Sequence, residues 1–244
     1  MKETIVRYKE RTAFGQCCPQ AVLFDMDGVL INSMPNHAVA WQRSMATFDI
    51  RMTAADAYAT EGARGIDTIR QMVKAQKALD ITLDEAQRMY DVKARMFAAL
   101  PRAEVMDGAC ELMEQIHRDG LQICVVTGSG QRPLINRLTT DFAPFVDEQH
   151  IITAYDVSRG KPHPDPYLMG MRRCGVEPWQ TIVVENAPLG VRAGHAAKAF
   201  TIGVNTGPLP PEMLADAGAD LVLGSMRELC TRWDELKNAM MAAG

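Results

Sequence analysis

Short β-branched runs that stop abruptly at polar residues, separated by stretches with helical spacing, constrain this chain more than any other feature. The runs are Ala21-Val22-Leu23-Phe24, Ile123-Cys124-Val125-Val126, Thr181-Ile182-Val183-Val184, Phe200 to Val204 and Asp220 to Leu223. Between the later runs lie Gly108 to Arg118, Pro133 to Leu138, Pro164 to Arg173 and Leu189 to Ala197, with apolar residues three or four apart. A strand covered on both faces reads as a continuous apolar run, because neither side of its pleat meets water. Strands of that kind alternating with helices predict an α/β fold, a doubly wound parallel sheet with helices on both faces.

Residues 34–101 read differently. They hold almost no β-branched runs and are rich in Ala, Met, Gln, Arg and Lys, and Asp67 to Lys77 and Leu83 to Phe97 have the spacing of amphipathic helices. The expected organisation is therefore an N-terminal extension over 1–17, an α/β core over 18–33 and 102–244, and an all-helical cap over 34–101. The cap leaves the core just after the first strand and returns before the second. That places it at the lip of the crevice that forms beyond the carboxyl ends of parallel strands, where it could act as a lid.

At 244 residues with 47 % hydrophobic content, the chain can bury one substantial core and a smaller second one. A formal net charge of -4 without a basic run gives no electrostatic footprint for nucleic acid or an anionic membrane, so neither partner is expected. The six cysteines show no C-x-x-C spacing and read as small reduced core residues. With no apolar signal segment and no run of membrane-spanning length, a cytoplasmic location is expected.

Chemistry-bearing residues collect where the apolar runs end. Asp25 and Asp27 follow the first; an Asp-x-Asp-Gly could simply open a turn, but at a strand end it also faces a crevice. Thr127-Gly128-Ser129-Gly130 follows the second, offering hydroxyls and backbone N–H groups suited to phosphate oxygens, or an ordinary helix cap. Lys161 sits among Pro162, Pro164 and Pro166, which stiffen its flanks and make it a fixed positive charge. Glu185 and Asn186 close the third run with two oxygen donors of the kind hard Mg²⁺ prefers, although Asn186 could also cap the next helix.

In this order, Asp25-x-Asp27, Thr127, Lys161 and Glu185-Asn186 resemble the four motifs of the haloacid dehalogenase-like phosphotransferases, and the likeness extends over most of the chain. Within that superfamily the chain is similar to the β-phosphoglucomutase-like group, because a helical insertion separates the first two motifs and Ser33-x-x-x-His37-x-x-x-Trp41 follows the acids. The resemblance implies a Rossmann-like core and a Mg²⁺-dependent phosphatase or phosphotransferase acting on small phosphorylated metabolites, sugar phosphates foremost. It implies Asp25 as nucleophile, Asp27 as general acid and base kept protonated by its neighbour, and Thr127 and Lys161 as charge-stabilising groups. Asp25, Asp27, Glu185 and Asn186 would hold Mg²⁺.

Substrate contacts would come from His37, Lys93, Gly128, Ser129 and Arg64. The segment Glu61-Gly62-Ala63-Arg64-Gly65 aligns with the mutase's specificity loop, with its Arg displaced by about one position. Asn186 stands where the family usually has Asp, so one ligand charge is missing and weaker Mg²⁺ binding than in Asn186→Asp is expected. Two other readings remain: metal-independent dehalogenation, in which Asp27 and Glu185 would have no role, and a catalytically weakened binding or regulatory protein, which only Asn186 supports. Oligomeric state is left open.

Overall fold

The computed structural model describes residues 1–129 and 132–242. In chain order the elements are α1 (Lys2–Thr12), β1 (Ala21–Phe24), α2 (Met34–Ala46), α3 (Ala54–Ala59), α4 (Gly65–Lys77), α5 (Leu83–Ala98), α6 (Ala109–Arg118), β2 (Gln122–Val126) and α7 (Arg132–Asp141). They continue with β3 (Ile151–Ile152), α8 (Asp165–Cys174), β4 (Thr181–Glu185), α9 (Pro188–Ala196), β5 (Phe200–Val204), α10 (Glu212–Asp216), β6 (Leu221–Leu223), α11 (Met226–Thr231) and α12 (Trp233–Met241).

The strands form one six-stranded sheet in the order β3-β2-β1-β4-β5-β6. Every pairing is parallel, with β1 central and registered against both β2 and β4. This is the doubly wound α/β architecture that the apolar runs predict, and the two-residue alternation of a strand explains its two cores. Val22, Phe24, Ile123, Val125, Ile182 and Val184 point into an apolar cluster with α1, α6, α11 and α12. Ala21, Leu23, Cys124, Val126 and Val183 point into another with α8 and α9.

Helices α2–α5 are inserted between β1 and β2 and have an apolar cluster of their own, built on Trp41, Met45, Ile50, Ile69, Val73 and Ala86. Local signals start these helices: Thr53 and Thr82 each close a capping box, with Asp56 and Glu85 respectively. Two elements have little sequence signal. β3 is only two residues long, and α1 lies within the segment read as an extension, yet Ile5 and Tyr8 on α1 are fully buried. Tyr8 donates to the Lys198 carbonyl at 3.0 Å, and Arg11 makes a bidentate pair with Asp220.

All six cysteines are free, as expected, but Cys18 is exposed and Cys110 half-buried rather than in the core. Among the described residues, no helix is long and apolar enough to cross a membrane.

Candidate active site

The ladder of the sheet continues one residue past β1 and β2 and aims their ends at a common point. Asp25 N donates to Val184 O and Thr127 N to Ile152 O, at 3.0 and 2.9 Å. Both side chains are thereby fixed at the carboxyl edge, and both are buried. Ser129 N donates to Thr127 Oγ1 at 3.0 Å, so the Thr hydroxyl organises its own turn; Gly130 lies outside the described residues.

Lys161 is almost wholly buried, and its ammonium is shared among three acceptors: Asp25 Oδ1 at 2.5 Å, Glu185 Oε1 at 2.7 Å and Val126 O at 3.0 Å. An ammonium has three protons to give, so each is spent on the protein and the Lys works here as a fixed charge. Burial opposes that charge, but the carboxylates of Asp25 and Glu185 outweigh it and raise the Lys161 pKa. Burial pushes the Asp25 carboxyl up, against the lowering pull of Lys161 and with further upward pushes from Glu185 and Asp27.

Glu185 is fully engaged. Oε1 accepts from Lys161 and from Tyr167 Oη at 2.7 Å, and Oε2 from the backbone N–H groups of Asn186 and Ala187 at 3.0 and 3.3 Å. A Cβ at Gly190 would lie 1.7 Å from Oε1, so only glycine lets the first turn of α9 approach this carboxylate. Asn186 is not the cap of α9; Ala187 holds that position, without a side-chain cap. Instead, Asn186 Nδ2 donates to Glu61 Oε1 at 3.0 Å, while its Oδ1 is buried with no hydrogen-bond partner among the described residues.

Asp27 lies beside the turn at Gly28, which adopts a φ of +82°. Its Oδ1 accepts from Ser33 Oγ at 2.5 Å and lies 3.3 Å from His37 Nε2, which is not aligned for a hydrogen bond. Burial works to raise its pKa, but the neighbouring His37 and the Ser33 hydroxyl overcome that and hold it below the usual carboxylate range. The expectation that Asp25 keeps Asp27 protonated is corrected: the contacts with His37 and Ser33 act the other way and favour its charged form.

Behind Asp27, Lys93 Nζ stands 2.6 Å from His37 Nδ1 and within 5.0, 5.1 and 5.7 Å of the rings of Trp41, Phe97 and Tyr90. Burial in this aromatic box brings the Lys93 pKa down to about 7. Burial, reinforced by Lys93, also lowers that of His37.

Asp25, Asp27, His37, Glu61, Lys93, Gly128 and Ser129 line one small pocket of about 60 Å³. Thr127, Lys161, Glu185 and Asn186 form the packed layer beside it. Arg64 is not brought in: its guanidinium pairs with Asp67 at 2.7 and 3.1 Å, and it lines an adjoining hollow with Gln87 and Tyr155. The sequence gives no role to Glu61, Ser33 or Tyr167 and does not announce the aromatic box around Lys93. Glu61 belongs to the loop taken for a specificity segment, but only the fold reveals that its carboxylate is buried against Asn186.

The oxygen donors suit a hard cation. Among the described residues no three His, Cys, Asp or Glu side chains converge on one point, but the orphaned, buried Oδ1 of Asn186 supplies a neutral donor beside the carboxylates. Asp25, Asp27 and Asn186 would be the direct holders. Glu185, with both oxygens committed to protein donors, would act through Lys161 and the Asn186 backbone.

A parallel sheet with an acid pair and a buried lysine at its carboxyl edge, roofed by an inserted helical unit, defines a class of α/β enzyme. The chain belongs to the haloacid dehalogenase-like hydrolases, whose family model matches residues 19–198. It is 30 % identical over 207 residues to hexitol phosphatase A of Escherichia coli, covering 85 % of this chain and 91 % of that protein. It is 24 % identical over 229 residues to β-phosphoglucomutase of Bacillus subtilis, covering 89 % and 97 %. A structure described as a putative β-phosphoglucomutase from Bacteroides vulgatus superposes with a TM-score of 0.94 at 41 % identity, covering 98 % of this chain and 97 % of that one.

Proposed function

We propose that this enzyme is a Mg²⁺-dependent phosphatase for small sugar or polyol monophosphates, working through an aspartyl phosphate. The observation that carries the reading is the pairing of Asp25 and Asp27 on the wall of one pocket, with buried Lys161 bonded to Asp25. Asp25 attacks phosphorus and the substrate oxygen leaves, so that one difficult displacement becomes two easier ones. Lys161 holds the Asp25 carboxylate in place and offsets its charge. A bound Mg²⁺ would supply the remaining positive charge that lets an anionic nucleophile meet an anionic phosphate.

Asp27 carries the proton. As a carboxylate it is set to remove one from the water that opens the aspartyl phosphate; before that, it must arrive protonated to release the alcohol. The Ser33 hydroxyl orients it. Gly128 and Ser129 line the pocket and would present backbone N–H groups to the transferred group, in a turn that the Thr127 hydroxyl organises.

A phosphoglucomutase activity is the second reading, and His37 and Lys93 in the cavity wall favour it. It requires a second anion-binding group in the cap. Arg64 is paired with Asp67, and Glu61 puts a carboxylate on that wall, which is why hydrolysis is preferred.

The test is to incubate the protein with Mg²⁺ and a panel of hexitol, glycerol and sugar phosphates, including β-glucose 1-phosphate with its bisphosphate activator. Inorganic phosphate and isomerised sugar are both followed. Release of phosphate without isomer is expected. An unchanged rate in Asp25→Asn would overturn the mechanism, and isomer formation would replace the phosphatase reading with the mutase one.

A further inference from the structure

The exposed hollows and surface ion pairs of this molecule point to no ligand, but the contact between the helical unit and the end of β4 has a specific chemistry. Glu61 lies in the loop between α3 and α4, is more than nine-tenths buried, and lines the catalytic cavity. Its Oε1 accepts from Asn186 Nδ2 at 3.0 Å across 125 residues of sequence. The approach is close on every side. A Cβ at Gly28 would lie 2.1 Å from Asn186 Nδ2 and 3.1 Å from Glu61 Oε1, and one at Gly128 would lie 2.6 Å from the Gly62 carbonyl.

An ionised Glu61 can only accept, and so dictates which way the Asn186 amide faces; burial and the nearby Asp25 carboxylate raise its pKa, and a bound cation would counter both. With Nδ2 turned to the cap, Oδ1 is left inside the site, where it is buried and unpartnered. A carboxylate in place of the Asn186 amide would instead set two carboxylates about 3 Å apart, the arrangement that repels most strongly where water is excluded.

We propose that Glu61 is a positioning residue that latches the cap onto Asn186, orients that amide's oxygen toward the cation site, and supplies from the cap the negative charge that Asn186 lacks. Cap closure and cation binding are then coupled, and by reciprocity each favours the other to the same degree. Glu61 touches neither the reacting phosphorus nor its proton carrier. The cation half of the proposal rests on the Mg²⁺ reading above; the latch itself does not.

Two measurements test it on the full-length protein. Hydrogen exchange of the 60–65 loop, without added metal, should show lost protection in Asn186→Asp. Protection should recover in the double variant Glu61→Gln with Asn186→Asp, where the Gln amide can donate to the introduced carboxylate. Calorimetric titration with MgCl₂ should show Glu61→Ala binding at least about tenfold more weakly than wild type, the usual loss for an outer partner of a metal ligand. Unchanged loop protection in Asn186→Asp overturns the latch. Equal Mg²⁺ affinity in Glu61→Ala and wild type overturns the coupling. Absence of Mg²⁺ binding in the wild-type protein overturns the coupling together with the metal reading, while the exchange experiment still decides the latch.

Discussion

Asp27, the proposed proton carrier, sits among neighbours that favour its charged form. Replacing it with Asn keeps the Ser33 contact but removes the proton carrier, so kcat should fall by about 10²–10⁴-fold. Phosphate release under saturating substrate checks this, and a loss below tenfold would remove Asp27 from the chemistry. Lys93 gives a prediction with a definite sign. Its pKa falls from 10.5 in the unfolded chain to about 7 in the fold, so between those values the unfolded state binds the extra proton and stability rises with pH. Below pH 7 both states are charged and the full cost of burying the ammonium is present; above about 10.5 it is relieved. Wild type should therefore gain stability relative to Lys93→Met between pH 7 and 10, by at most about 1.4 kcal/mol per pH unit, in urea titrations at each pH. A difference that stays flat across that window would mean Lys93 is not buried as described.

At the scale of elements, the strand ends were legible because an apolar run that stops at an acid, a Thr or a Glu marks where a buried parallel strand meets solvent. Asp25, Thr127 and Glu185 could be read that way, and the cap helices could be read from their composition and apolar spacing. Helix α1 could not. Its sequence KETIVRYKERT is mostly polar, and its role rests on Ile5 and Tyr8 meeting residues of β5 and α12 far along the chain. Glu61 was hidden for the same reason, since nothing near it in sequence announces a buried partner at 186. These contacts are worth measuring: Tyr8→Ala should cost about 3–5 kcal/mol in a urea midpoint shift, the range for emptying a core aromatic site. Gly128→Ala, whose Cβ would press on the Gly62 carbonyl, should hold the cap loop off the core and raise KM while leaving the thermal midpoint within a few degrees.

For the molecule as a whole, the three larger apolar clusters have their own places: one on either face of the sheet, another inside the helical unit, with the candidate cavity at the seam. The order of assembly follows from helix α1. Its Tyr8 and Arg11 bond to Lys198 and Asp220, separated from them by 190 and 209 positions, and β1 lies between strands whose residues are made long after it. At roughly 5–20 residues per second on the ribosome, α1 and β1 therefore wait many seconds for their partners. The helical unit of residues 34–101, with its local contacts, is complete well before that. In a nascent chain stalled near residue 150 the cap helices would be present without the later strands, and Asp25 would meet Lys161 only after that lysine had left the exit tunnel.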